Sequence, residues 1–162
     1  MHNIDHETKA KPEYAFRSLS EMLRYRAATQ PDDVAYTFLL NGEEETDCVT
    51  YSELDSKAQR LASELREHLS PGDRGLLLYP SSLNYVASFF GCLYAGVVPV
   101  PSYPPKRNKA DHRLQSIVRD AEPAALLCQE DTFHDLKKRI QETPELESLH
   151  WLATDRVADR DP

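Results

Sequence analysis

The side chains best suited to chemistry in this 162-residue chain are six histidines, three cysteines and one compact run of bases. His2 and His6 have helical i, i+4 spacing but lie in a polar N-terminal stretch, and a metal site needs three or four ligands. His68, His112, His134 and His150 fall on or beside polar helix faces and strand edges. No Ser-His-acid or Cys-His arrangement is readable, although such sites assemble in space and not in sequence. Cys48, Cys92 and Cys128 are widely spaced and form no paired CxxC, so they are expected as free thiols, with Cys92 a small core residue. Lys106, Arg107, Lys109 and Arg113 form the basic cluster, directly after "PSYPP". It is either a solvated loop or a contact for an anionic partner.

Phosphate chemistry in α/β proteins usually announces itself by a glycine-rich strand-to-helix turn. Here Gly42, Gly72, Gly75, Gly91 and Gly96 are the only glycines, and no two are close enough to cradle a phosphate. No GxGxxG or Walker-type loop is present. The turn "YPSSLNY" offers backbone amides and two hydroxyls, but serines at such a place more often cap the following helix.

Elements able to position these groups follow from periodicity. Residues 1–17 are a polar lead-in. Ser18 with Glu21 fits a capping box, and Leu19, Met22, Leu23 and Ala27 give the helix behind it a short apolar face before Pro31. "VAYTFLL" and "DCVTY" flank Asn41-Gly42 as a hairpin whose acidic run, Glu43 to Glu45, sits in water. Ser52, with Asp55, is expected to cap a long amphipathic helix through Leu54, Ala58, Leu61, Leu65 and Leu69. Pro71-Gly72-Asp73 turns the chain into "GLLLY", apolar enough for a strand buried on both faces. The next helix is predicted to bury Leu83, Val86, Phe90, Leu93, Tyr94 and Val97. Phe89, Cys92 and Ala95 on its other faces imply cover from more than one side. "VVPV" follows as the next strand, with Pro99 marking an irregular or edge position. Asp111 is placed to cap a helix through Leu114, Ile117, Val118 and Ala121. "AALLC", a helix through Phe133, Leu136 and Ile140, and "LHWLAT" complete the alternation, and the polar "DRVADRDP" ends the chain. The fold class is α/β: a mostly parallel open sheet with helices on both faces, preceded by a β-hairpin-like segment. Residues 18–155 form the α/β unit and 156–162 a linker.

Composition narrows the function classes. With 40% hydrophobic residues, 28% charged residues and a net charge of -8, the chain has the make-up of a water-soluble globular domain. Its acidity argues against a nucleic-acid binder, which needs a basic face. The charge-free stretch from Gly75 to Pro105 is no membrane span, since Pro80, Ser81, Ser82 and Asn84 interrupt it early and Pro99, Pro101, Pro104 and Pro105 late. The uninterrupted part falls well short of the roughly 20 residues a span needs. The N-terminus has no apolar signal region, so the expected location is cytoplasmic.

Three segments carry a family likeness. "VTYSELDSKAQRLASEL" resembles the first core motif of the adenylate-forming superfamily, and "GLLLYPSSLNYVASFFGCLYAGVVPVPSYPP" resembles its second. "FFGCLYAGVVPVPSYPPKRNK" followed by "RLQSIVRDAEP" is similar to the fatty acyl-AMP ligases in particular. The resemblance runs from about Phe16 to Asp155. It implies the first subdomain of an enzyme that uses ATP and Mg²⁺ to convert a fatty acid to an acyl-adenylate, then passes the acyl group to an acyl carrier protein. The anionic partner of the basic cluster is then a phosphopantetheine arm or an acidic carrier surface, met by Tyr103, Lys106, Arg107 and Lys109. The family's phosphate loop, metal-binding carboxylate and catalytic lysine match no residue here, so no catalytic, cofactor-binding or metal-binding role is carried over. The chain alone is expected to bind no cofactor and to be inactive. Two alternatives stand beside this: a short non-catalytic module that docks a carrier protein or partner chain, and an independent nucleotide binder. Self-association through apolar surface is expected if a covering domain is absent.

Overall fold

The computed structural model describes residues 16–105, 112–138, 141 and 144–158. Helix α1 (Leu19–Thr29) leads into an antiparallel hairpin, β1 (Val34–Leu40) and β2 (Glu44–Thr50). The long helix α2 (Tyr51–His68) follows, then β3 (Arg74–Leu78), α3 (Leu83–Ala95) and β4 (Val98–Ser102). The chain continues through α4 (His112–Ala121), β5 (Ala125–Cys128), α5 (Glu130–Lys138), a 3-10 turn at Pro144–Leu146, β6 (His150–Ala153) and α6 (Thr154–Ala158). Asp111, Ile140 and the first 15 residues lie outside the described part.

Strands β3 to β6 form one parallel sheet in the order β4-β3-β5-β6. The chain moves to one side from β3 to β4, then jumps back across β3 to β5. Right-handed crossovers require the helices of those two moves to cover opposite faces, and they do. Leu77, Ala125, Leu127 and Leu152 point to a core shared with α1, α2 and α3. Leu76, Leu78, Leu126 and Cys128 point to the other core, closed by Leu114 of α4, Leu136 of α5 and Leu146. Alternate residues therefore feed alternate cores, as the wholly apolar strands predict.

Edge strand β4 tolerates two prolines for a reason visible in its ladder. Val98 N–H donates to the Asp73 carbonyl at 2.7 Å, and the Ser102 carbonyl accepts from Tyr79 N–H at 3.4 Å. Residues 98 and 102 thus face β3, and the alternate Pro99 and Pro101 turn their missing donors outward.

The hairpin turns at Asn41 (φ 54°) and Gly42 (φ 81°), the left-handed pair that a tight turn requires. Glu43, Glu44 and Glu45 are all exposed, with Glu44 and Glu45 inside β2. At α1, Ser18 Oγ accepts from Glu21 N–H at 3.1 Å, but the Glu21 carboxylate accepts from Arg17 N–H, so the reciprocal half of the box is displaced by one residue.

Three details correct the sequence-based expectation. Thr50, not Ser52, caps α2: its Oγ1 accepts from Glu53 N–H at 3.3 Å and the Glu53 carboxylate accepts from Thr50 N–H at 2.8 Å. The reason is that β2 runs directly into α2, so the last extended residue becomes the cap. The backbone bond from Thr50 holds the Glu53 carboxyl below its ordinary range. Asp55 instead accepts from the Tyr94 hydroxyl at 2.6 Å. Second, α3 buries Ala87, Ser88, Gly91, Cys92 and Ala95 along with Phe90 and Tyr94, while Leu83, Val86, Phe89 and Leu93 stay half-buried. Small residues win because they let α3 approach α2: a Cβ on Gly91 would lie 2.8 Å from Leu61 Cβ. Third, residues 154–158 form α6 and bury Val157 in the core with α2 and α3, where a polar tail was expected.

Candidate functional site

In an open α/β sheet, ligands sit outside the carboxyl ends of the strands, beside the point where strand order reverses. Here the reversal lies between β3 and β5. That position is sealed. Tyr79, just after β3, extends its hydroxyl to Ser88 Oγ of α3 at 2.8 Å and to Thr154 Oγ1 of α6 at 2.6 Å. Ser88 donates to Thr154 at 3.2 Å, and Thr154 donates to the Cys128 carbonyl at the end of β5 at 3.3 Å. All three side chains are buried, and burial drives the Tyr79 hydroxyl pKa well above its usual value. The hydroxyls satisfy one another, so this end of the sheet is structural.

The neighbouring carboxyl ends of β3 and β4 are open. A crevice of about 240 Å³ lies there, with Tyr79, Tyr85 and Tyr103 as aromatic surfaces, Pro80 and Pro101 as apolar walls, and Ser81, Ser102 and Arg113 as polar groups. Tyr103 is 61% exposed. Arg113, in the first turn of α4, returns to this crevice: its guanidinium lies 5.8 Å from the Tyr103 ring centre and donates to Ser102 Oγ at 3.3 Å. Ser82 caps α3 by accepting from Tyr85 N–H at 3.2 Å, the role expected for the serines of this turn, while Ser81 faces the crevice.

Of the residues picked from sequence, the structure brings Tyr103 and Arg113 together. Lys106, Arg107 and Lys109 lie outside the described residues, on the segment joining those two. Sequence reasoning weighed Ser81 as one of two turn hydroxyls and favoured capping for it, and it missed Tyr85 and Ser102 as crevice groups. The signal available was their position: Ser81 and Ser102 each stand at the carboxyl end of one of two adjacent parallel strands.

A larger hollow, about 430 Å³, separates β2 from α2 and α3. Its rim mixes Asp47 and Glu53 with Lys57 and Arg60, and Glu53 is already engaged in the Thr50 cap. Cys48 opens onto it as an exposed free thiol, whereas Cys92 and Cys128 are buried and burial pushes their thiols up to about 12. No group of three His, Cys, Asp or Glu side chains is placed to hold a metal ion among the described residues. His68 and His150 stack with ring centres 4.2 Å apart, at the far, amino end of β6. No described helix is long and apolar enough to cross a membrane.

The sequence pattern of the AMP-binding enzymes matches residues 23–162. The chain belongs to the AMP-binding enzyme family. Over 152 residues it is 38% identical to the medium-chain-fatty-acid–[acyl-carrier-protein] ligase JamA of Moorena producens, covering 91% of this chain and 25% of that protein. A putative fatty-acid–CoA ligase of Mycobacterium tuberculosis, fadD25, is 39% identical over 145 residues, covering 86% of this chain and 24% of its own length. The structure of a fatty acyl-adenylate ligase from Legionella pneumophila, in complex with acyl adenylate and pyrophosphate, superposes with a TM-score of 0.75 at 35% identity, over 91% of this chain and 25% of that one. This AMP-binding chain thus spans about a quarter of the length of the fatty-acid ligases it resembles. ATP and Mg²⁺ are assigned to no residue here, because the sequence has no glycine-rich phosphate loop and the described residues have no metal-binding cluster.

Proposed function

We propose that this chain is the N-terminal part of a fatty acyl-AMP ligase, which activates a fatty acid with ATP to an acyl-adenylate for transfer to an acyl carrier protein. The observation that carries the proposal is the 38% identity to a carrier-protein ligase along 152 residues. Its own contribution is the double-covered sheet and a contact for the carrier through Tyr103, Lys106, Arg107 and Lys109. A phosphopantetheinylated carrier is acidic and anionic, and this basic segment sits in a chain whose net charge is -8, so it is the natural place for steering.

The contact is tested by association kinetics with a phosphopantetheinylated carrier protein at low salt. Reversing Lys106, Arg107 and Lys109 to Glu slows association by about tenfold or more, and added salt removes most of the difference. An unchanged on-rate rejects the contact. The division of labour is tested by fatty-acid-dependent ATP–pyrophosphate exchange on this 162-residue chain, for which no turnover is expected. Appreciable exchange would mean that the chain carries a phosphate site of its own. The chain is also expected to self-associate with rising concentration, and a monodisperse monomer in light scattering would contradict that.

A further inference from the structure

We infer that the stacked imidazoles of His68 and His150 form an acid-released latch between the end of α2 and the first residue of the outer strand β6. The inference is independent of the function proposed above.

Geometry places the contact where the sheet opens most readily. The two ring centres lie 4.2 Å apart with 28° between the ring planes. His68 is the last residue of α2, and its Nε2 is 3.9 Å from Glu64 Oε1 one turn earlier. His150 opens β6, and its backbone N–H donates to the Ala124 carbonyl at 3.1 Å, ahead of the ladder with β5. Among the described strands β6 pairs with β5 alone, over four residues. Its middle is held independently, because the Trp151 indole donates to the Leu146 carbonyl at 2.8 Å. The imidazole stack therefore guards the first rung of an edge strand, the place where fraying begins.

Charge makes that contact conditional. From α2 the groups facing His150 are His68 and Glu64, and from β5 it meets only Ala124 and Ala125. Arg74, at the same end of the sheet, is turned to the carbonyls of Ala121 and Glu122, and Lys137 of α5 lies over the Trp151 ring. One proton, on His68, lies against Glu64 and the negative end of the helix. A second, on His150, stands against the first at stacking distance, and like charges that close repel. Partial burial and His68 outweigh Glu64 and hold the His150 imidazole below its ordinary range. The unfolded chain takes that proton more readily, so the stack contributes fully above pH 6.5 and loses its contribution as pH falls below it. Two neutral rings close the strand onto α2, and two cations part it.

The test is hydrogen exchange of single backbone amides in the intact chain, on either side of the histidine range at about pH 7.5 and about pH 5, expressed as protection relative to an unstructured peptide. On acidification the His150 and Leu152 amides are expected to lose about three- to tenfold more protection than the Leu77 amide of central strand β3. His68→Phe keeps a ring in the stack and removes its proton, so the protection at neutral pH is kept and the extra loss in acid disappears. If His68→Phe proves unstable, His150→Phe makes the same test from the other side, read at Leu152. An equal loss of protection at Leu152 and Leu77 in the unaltered chain overturns the inference. So does an acid response that survives in the folded phenylalanine variant.

Discussion

Two places at the same end of one sheet are built from the same kinds of side chain and come out differently. Beyond β3 and β5, the hydroxyls of Tyr79, Ser88 and Thr154 close on one another and on the Cys128 carbonyl. Beyond β3 and β4, the hydroxyls of Ser81, Ser102 and Tyr85 face a crevice with Arg113. The contrast separates a polar cluster that holds the fold from one that opens to solvent: what decides is whether the hydroxyls are buried against one another. α6 makes the difference, because Thr154 is its first residue and fills the reversal point that other α/β sheets leave open.

The contrast predicts unequal costs. Leu77→Ala, beneath both places, is expected to cost about 2–5 kcal/mol, since Leu77 is fully buried in the core facing α2 and α3. Urea denaturation measures this, and a loss below the range would mean that the core relaxes around the gap. Thr154→Val comes next, at about 1–3 kcal/mol, because it deletes the acceptor and donor that the Tyr79 hydroxyl and Cys128 carbonyl use. In the intact chain Cys48 reacts first, while the thiols of Cys92 and Cys128, pushed up to about 12, remain slow. Equal labelling of all three in the intact chain would break the claim that Cys92 and Cys128 are sealed in the two cores. Ser81→Ala, in the open crevice, should stay within about 0.5 kcal/mol of wild type, since Ser81 is exposed and no partner among the described residues is lost.

How much of this was legible in the sequence depends on what the residues compete for. The parallel sheet showed itself because β5 is apolar at every position and β3 at every position after Arg74, as only a doubly covered strand can be. Pro99 marked β4 as irregular or at an edge, and the sheet order makes it an edge strand. The cap of α2 was misplaced because Thr50 and Ser52 have equal capping chemistry, and only the ending of β2 decides between them. The buried face of α3 was misjudged for another reason. Periodicity weights large apolar side chains, whereas close contact with α2 selects small ones such as Ala87, Gly91 and Ala95. Tyr103 and Arg113 were identifiable by type and nearness in sequence. Ser81 was noticed only as a turn hydroxyl, and Ser102 not at all, since their shared place comes from β3 and β4 lying side by side.

The smallest expected effect is a pH dependence at the amino end of the sheet. Burial and the neighbouring His68 hold the His150 imidazole below its ordinary range, while Glu64 opposes them. A folded histidine that resists protonation binds fewer protons than the unfolded chain, so its stability contribution is whole above pH 6.5 and declines as pH falls below it. His68→Gln should raise the His150 titration midpoint, as followed by NMR, and an unmoved midpoint would assign the depression to burial alone.

The contrast between the sealed and open places is tested most directly by urea denaturation of Thr154→Val and Ser81→Ala side by side. The expected outcome is that Thr154→Val loses about 1–3 kcal/mol while Ser81→Ala stays within about 0.5 kcal/mol of the unaltered chain. Equal losses, or the larger loss in Ser81→Ala, would contradict it.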